Sequence, residues 1–185
     1  CFPDTKIYLE ETSAITAGMP ALSKMHPNFL RVPGDLDAAS AEYLKDFKGR
    51  VNITGDSFPP WLEAVVGDAQ WVNLTLEDVT ELTVEQAEVL SRSQSPKLIL
   101  PELDTLPVAV AKILGGSPDK SWVSLQVPKL REIKPEALSH ITRYITHLFI
   151  GVQVWDHHLT KAIKTGKKGT VKMEGVQSVS EKALV

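Results

Sequence analysis

Short apolar pairs recur along this chain at a near-constant interval, and that periodicity restricts the fold more than any other feature. The pairs are Ile7/Leu9, Leu30/Val32, Val51/Ile53, Leu74/Leu76, Leu98/Leu100, Leu125/Val127, Leu148/Ile150 and Val171/Met173. Their second members lie 23, 21, 23, 24, 27, 23 and 23 residues apart. A period of this length means stacked supersecondary units. Within each pair the spacing of two is that of a strand with one buried face.

A further large apolar residue follows each pair: Ile15, Leu36, Phe58, Leu82, Leu106, Ile133, Trp155 and Val179. After several of these anchors apolar residues return at +5 and +8, as in Leu36/Ala41/Leu44, Leu82/Ala87/Leu90, Leu106/Ala111/Leu114 and Ile133/Leu138/Ile141. The change of period, from two to about 3.6, predicts that each unit passes from strand to helix. The residues just after the anchors are Thr16, Asp37, Pro59, Thr83, Pro107, Lys134, Asp156 and Ser180. Five of these eight are Thr, Asp or Ser, whose side-chain oxygens accept from the free N–H groups of a first helical turn. Thr83-Val84-Glu85-Gln86 fits a capping box, and Pro59 and Pro107 suit a helix start, where a missing N–H costs little. Gly49, Gly67, Gly115, Gly116 and Gly166 fall where the helices are expected to stop.

Units of this length are shorter than the roughly 30 residues of an ordinary strand-helix-strand crossover. One unit cannot bury its apolar side alone, whereas stacked units make a continuous core between a parallel sheet and a row of helices. The predicted fold is therefore α/β, with residues 1–185 forming one array of about eight strand-helix units. Its sheet is expected to be parallel and curved, with the helices on the convex side. Pro33, Pro101 and Pro128 directly follow strand pairs and predict very short strands.

The segment Val72-Asn73-Leu74-Thr75-Leu76-Glu77-Asp78-Val79-Thr80-Glu81-Leu82 resembles the leucine-rich-repeat family, especially bacterial members with a helical convex side. The resemblance runs over residues 6–185 and implies a solenoid whose concave sheet binds a protein partner. The family often has Asn or Cys in the turn after the strand, but this chain offers Val79, Leu103, Leu130 and Val176 there. Its turns are expected to be filled with aliphatic side chains instead.

Composition excludes some alternatives. A net charge of −3 provides no basic excess to release phosphate counterions, so no nucleic-acid partner is expected. Lys161, Lys164, Lys167, Lys168 and Lys172 read as a solvated face. No apolar run approaches the roughly 18 residues of a membrane span. The single cysteine, Cys1, allows no internal disulfide. It is compatible with the lipid-modified first residue of a bacterial lipoprotein or with the arbitrary start of an excised segment. A catalytic amino-terminal thiol is the poorest reading, since no positioned base is evident beside it. Cell-envelope, secreted and cytoplasmic locations all stay open.

No Gly-rich phosphate loop, nucleophile elbow or spaced His-Glu-His pattern occurs, so neither an enzyme nor a cofactor is expected. His157-His158 beside Asp156 invites a metal reading, but adjacent helical residues point about 100° apart and Asp156 is needed as a cap, so no metal is expected. Glu10-Glu11 and Glu77-Asp78 lie at strand ends and read as solvated turn charges. Asn52-Ile53-Thr54 and Asn73-Leu74-Thr75 match the N-glycosylation pattern, on positions that also read as strands.

The candidate site is the sheet's outward face. Between the core residues of each strand stand Tyr8, Arg31, Asn52, Thr75, Ile99, Gln126, Phe149 and Lys172, which alternation turns away from the core. They form a ladder of aromatic, aliphatic, amide and charged groups, expected to face solvent and to contact a protein partner. The competing expectation is a structural repeat segment of a larger multidomain or cell-envelope protein, with no ligand of its own. Neither end reads as a polar cap, which predicts a longer array or end-to-end association, with the Val171/Met173 strand as an open edge.

Overall fold

Each apolar pair falls in a strand or beside its last residue. The computed structural model describes residues 5–9, 27–116, 122–164, 170–173 and 178–179. Its strands are β1 (Lys6–Tyr8), β2 (Phe29–Pro33), β3 (Arg50–Thr54), β4 (Asn73–Leu76), β5 (Lys97–Ile99), β6 (Ser124–Val127), β7 (His147–Ile150), β8 (Val154–Trp155), β9 (Thr170–Met173) and β10 (Ser178–Val179). Eight of them form one sheet in the order β1-β2-β3-β4-β5-β6-β7-β9, and all neighbours are parallel. None of these eight is longer than five residues, as the prolines at the strand ends predict.

Register follows the repeat. Ile7, Leu30, Val51, Leu74, Leu98, Leu125, Leu148 and Val171 pair in succession across all eight strands. From Leu30 to Leu148 these side chains are buried, while Ile7 and Val171, on the outer strands, are half-buried. Burial weakens further at Met173, which is 39% exposed on β9.

The helices α1 (Ala38–Glu42), α2 (Leu62–Val65), α3 (Val84–Ser91), α4 (Val108–Leu114), α5 (Pro135–Thr142) and α6 (His157–Lys164) each pack on the next. Their buried residues join the inward sheet residues in one core cluster. All four anchor series predicted at +5 and +8 are buried, from Leu36/Ala41/Leu44 to Ile133/Leu138/Ile141. Among the described residues, no helix is long and apolar enough to cross a membrane.

Capping explains where three of these helices begin. Asp37 accepts from the Ser40 N–H at 2.9 Å, Thr83 and Gln86 form the reciprocal capping box, and Asp156 accepts from the Leu159 N–H at 2.9 Å. At α5 Lys134 provides no side-chain cap, and Pro135 occupies the first turn. Thr16, Ser180, Ile15 and Gly166 lie outside the described residues. Gly116 leaves α4 with φ +75°, a left-handed conformation suited to glycine.

One expectation needs correction, and two features go beyond the sequence reading. Phe58 is only half-buried, whereas Trp61 and Leu62 fill that part of the core. Trp61 holds its place by donating from Nε1 to the Gly34 carbonyl at 2.9 Å, and α2 begins after it, not at Pro59. Trp71 makes the equivalent tie to the Leu44 carbonyl at 2.8 Å. Both bonds join adjacent units, so the indoles contribute specific links as well as apolar area. The first feature concerns the turns. Val79, Leu103 and Leu130 are buried as expected, and Val152 joins them; Val176 lies outside the described residues. Backbone pairing, however, continues beyond these turns. Asp104 N–H donates to Thr80 C=O, Gln153 N–H donates to Arg131 C=O, and Trp155 and Val179 are register partners in the separate β8–β10 pair. The second is Gly151, whose importance the periodicity did not reveal. A Cβ built there would lie 1.6 Å from the Pro128 carbonyl oxygen, so the close approach of successive units requires glycine.

Leu76 and Leu100 have no exposed surface. Leu76→Asp or Leu100→Asp introduces a carboxylate without a partner, and we expect each to cost about 3 kcal/mol or more in denaturant titration. Wild-type midpoints for both variants would show that the assignment of the two sheet faces is reversed.

Candidate functional site

The outer ladder is continuous. Tyr8, Arg31, Asn52, Thr75, Ile99, Gln126, Phe149 and Lys172 are successive register partners from β1 to β9. Tyr8 and Lys172 are exposed, and Arg31, Asn52, Ile99, Gln126 and Phe149 are half-buried. Thr75 departs from the expectation, being 6% exposed. Its short side chain lines a depression shared with the longer Asn52, Glu77 and Ile99, which restrict its access to solvent.

This depression has a volume of about 660 Å³ and opens on the sheet face. Arg50, Asn52 and Phe29 line it from β2 and β3, Thr75 and Ile99 from β4 and β5, and Glu77, Asp78, Pro101 and Glu102 from the strand ends. Glu77 organises it. Arg31 donates from Nε and Nη2 to Glu77 Oε2 at 2.8 and 2.6 Å, and Asn52 Nδ2 donates to Oε1 at 2.6 Å. Two successive strands therefore send side chains to one carboxylate just beyond the end of the third, and charge-assisted bonds fix two members of the ladder. Glu77 is thus not the solvated turn charge expected from sequence. Its neighbour Asp78 accepts the Gly55 N–H at 2.9 Å, which holds a turn whose φ of +118° suits glycine. Alternation could have placed Glu77 on the outer face, because it lies two residues beyond Thr75.

Farther along, Lys172 Nζ stands 5.2 Å from the Phe149 ring centroid, a cation–π contact at the end of the ladder. At the opposite end Tyr8 and Phe29 meet with centroids 5.5 Å apart. A second depression, of about 580 Å³, is polar and lined by Asp104, Thr105, Lys129, Arg131, Glu132 and Gln153. Between the two, Lys129 bonds to Glu102, and that hydrogen bond, followed by charge attraction, holds the lysine above its usual pKa.

Of the other sequence candidates, Lys172, Asn52 and Asn73 share this face, and the histidine pair and Lys161 lie on α6. The His157 and His158 rings are exposed and meet at a tilt of 41°, with centroids 3.8 Å apart, so they do not diverge as their helical positions predicted. Side-chain torsions bring the rings together although the backbone directions differ. Of the Lys-rich stretch, Lys161 and Lys172 are exposed, while Lys167 and Lys168 lie outside the described residues, as do Cys1, Glu10 and Glu11. Both glycosylation-pattern asparagines are in strands, and the Asn52 amide is engaged by Glu77. Comparison with protein-family models, curated proteins and solved structures returns no match.

If Glu77 positions Arg31, then Glu77→Ala removes a shared acceptor. We expect it to cost about 1 kcal/mol, a modest figure because the pair is partly exposed. A double-mutant cycle with Arg31→Ala checks this, and zero coupling would show that the two side chains are ordered independently.

Proposed function

We propose that this chain is a protein-binding module, built as a leucine-rich-repeat solenoid with the outer sheet face as its contact surface. The role is binding without catalysis. The observation that carries this reading is the outer ladder, whose eight positions share one register and offer aromatic, aliphatic, amide and charged groups together. Contact surfaces combine these groups, with aromatic and Arg side chains as anchors. The face is also preorganised. Arg31 and Asn52 are already held by Glu77, so less side-chain freedom is lost when a partner arrives.

Sequential strand order and the buried +5 and +8 series support the repeat-family part of the reading. Aliphatic turns at Val79, Leu103 and Leu130 take the place of the family's usual polar turn residue.

A photocrosslinking residue at Gln126, on the face, is compared with one at Glu88, exposed on α3, in extract of the source organism. We expect protein adducts from Gln126 and none from Glu88, with loss of the adducts when Arg31, Ile99 and Phe149 are all replaced by Ser. Equal labelling from both positions, adducts that survive the triple replacement, or no adduct at all would overturn the proposal; the last result favours a purely structural segment.

A further inference from the structure

A row of basic residues runs along one side of the outer ladder. Lys6, Arg50, Lys97 and His147 occupy the position two residues before the ladder member on β1, β3, β5 and β7. Phe29, Asn73 and Ser124 occupy the same position on the intervening strands. A separation of two residues puts all of these side chains on the ladder's own face. Lys6, Arg50 and His147 are exposed and Lys97 is half-buried. None of the four forms an ion pair among the described residues.

The opposite side of the ladder is acidic. Glu77, Asp78 and Glu102 stand there, across the depression from Arg50. Arg31 and Lys129 engage Glu77 and Glu102, whereas Asp78 accepts the Gly55 N–H and meets no cation among the described residues. Tyr8, Ile99 and Phe149 supply apolar surface between the two charged sides.

Spacing identifies a ligand class. Basic residues on alternate strands repeat every two inter-strand steps, or roughly 10 Å. An extended polyproline-II peptide repeats one face every three residues, or about 9 Å. A peptide lying across the strands, acidic at every third position, therefore keeps step with the row. Its other faces can carry apolar side chains over Ile99 and Phe149 and uncharged or basic ones beside Asp78. A uniformly anionic polymer fits less well, because Asp78 repels it and the apolar centre gives it little. We propose that this face takes an extended acidic peptide segment of a protein partner, crossing the strands with its carboxylates along Lys6, Arg50, Lys97 and His147. The proposal rests on the binding-module reading and adds to it the partner's chemistry and direction.

The test is to pan a phage-displayed library of random peptides on the full chain, with dextran sulfate as a separate competitor. We expect enriched peptides to carry acidic residues three positions apart, interleaved with apolar ones. Their affinity should fall about tenfold or more in the Arg50→Glu/Lys97→Glu double variant and weaken with added salt. Arg50→Gln/Lys97→Gln serves as a milder variant if the reversal disturbs folding, and should give a smaller loss in the same direction. Enriched peptides without acidic bias, affinity unchanged in both variants, no enrichment, or dextran sulfate binding without peptide enrichment would each overturn the proposal. The photocrosslink from Gln126 separates this failure from that of the binding module. Adducts that persist in the Arg50→Glu/Lys97→Glu variant leave the module standing and remove the acidic peptide.

Discussion

No unit of this chain encloses a core by itself. The rest of the structure depends on burying one sheet face between successive units and their helices. Leu74, for example, pairs with Val51 on one side and Leu98 on the other, and all three lack exposed surface. The helices repeat this dependence, since each packs on its neighbour in sequence. Burial excludes a slip of one residue, which would turn a strand's apolar face outward, but it is non-directional and opposes a slip of two less strongly. Directional groups remove that freedom: the Trp61 and Trp71 indoles each bond a carbonyl of the preceding unit, and Gly151 admits the Pro128 carbonyl where any side chain would collide.

A register fixed from inside also orders the outside. Because alternate residues on a strand share a face, the same pairings that align Leu30 to Leu148 align Arg31 to Phe149. The outer residues are then spaced by the backbone. Glu77 adds a second level of order, because one carboxylate orients side chains from two preceding strands. Recognition on such a face is determined by which residue each unit contributes, with little adjustment of the framework.

Much of this was legible in the sequence, and the limits are physical. The interval between apolar pairs identifies strands, faces and order, because period two and the unit length leave little choice. Asp37, Thr83 and Asp156 are readable as caps for the same reason, since their chemistry acts within three residues. What spans units was harder to read. Glu77 looks like any charge at a turn until Arg31 and Asn52, 46 and 25 residues earlier, are brought beside it. Thr75 is outward by alternation yet covered, because access depends on the length of its neighbours. Phe58 packs against the core but Trp61 is buried more deeply, and its indole N–H also bonds a carbonyl in the adjoining unit, a tie that periodicity does not carry.

The sequential strand order also governs how the chain comes together. Paired strand residues lie about one unit apart, as in Val51 with Leu74 and Leu125 with Leu148. Ordering one unit beside another therefore closes only a short loop, and nucleation can start at more than one place and spread outward. Insertions and deletions should then be judged by phase. Losing a few residues inside a unit shifts every later side chain against its neighbour, whereas losing a whole unit returns the next strand to the same alignment. Lineages that lengthen or shorten such a chain in whole units change the extent of the exposed surface while its inner geometry is kept.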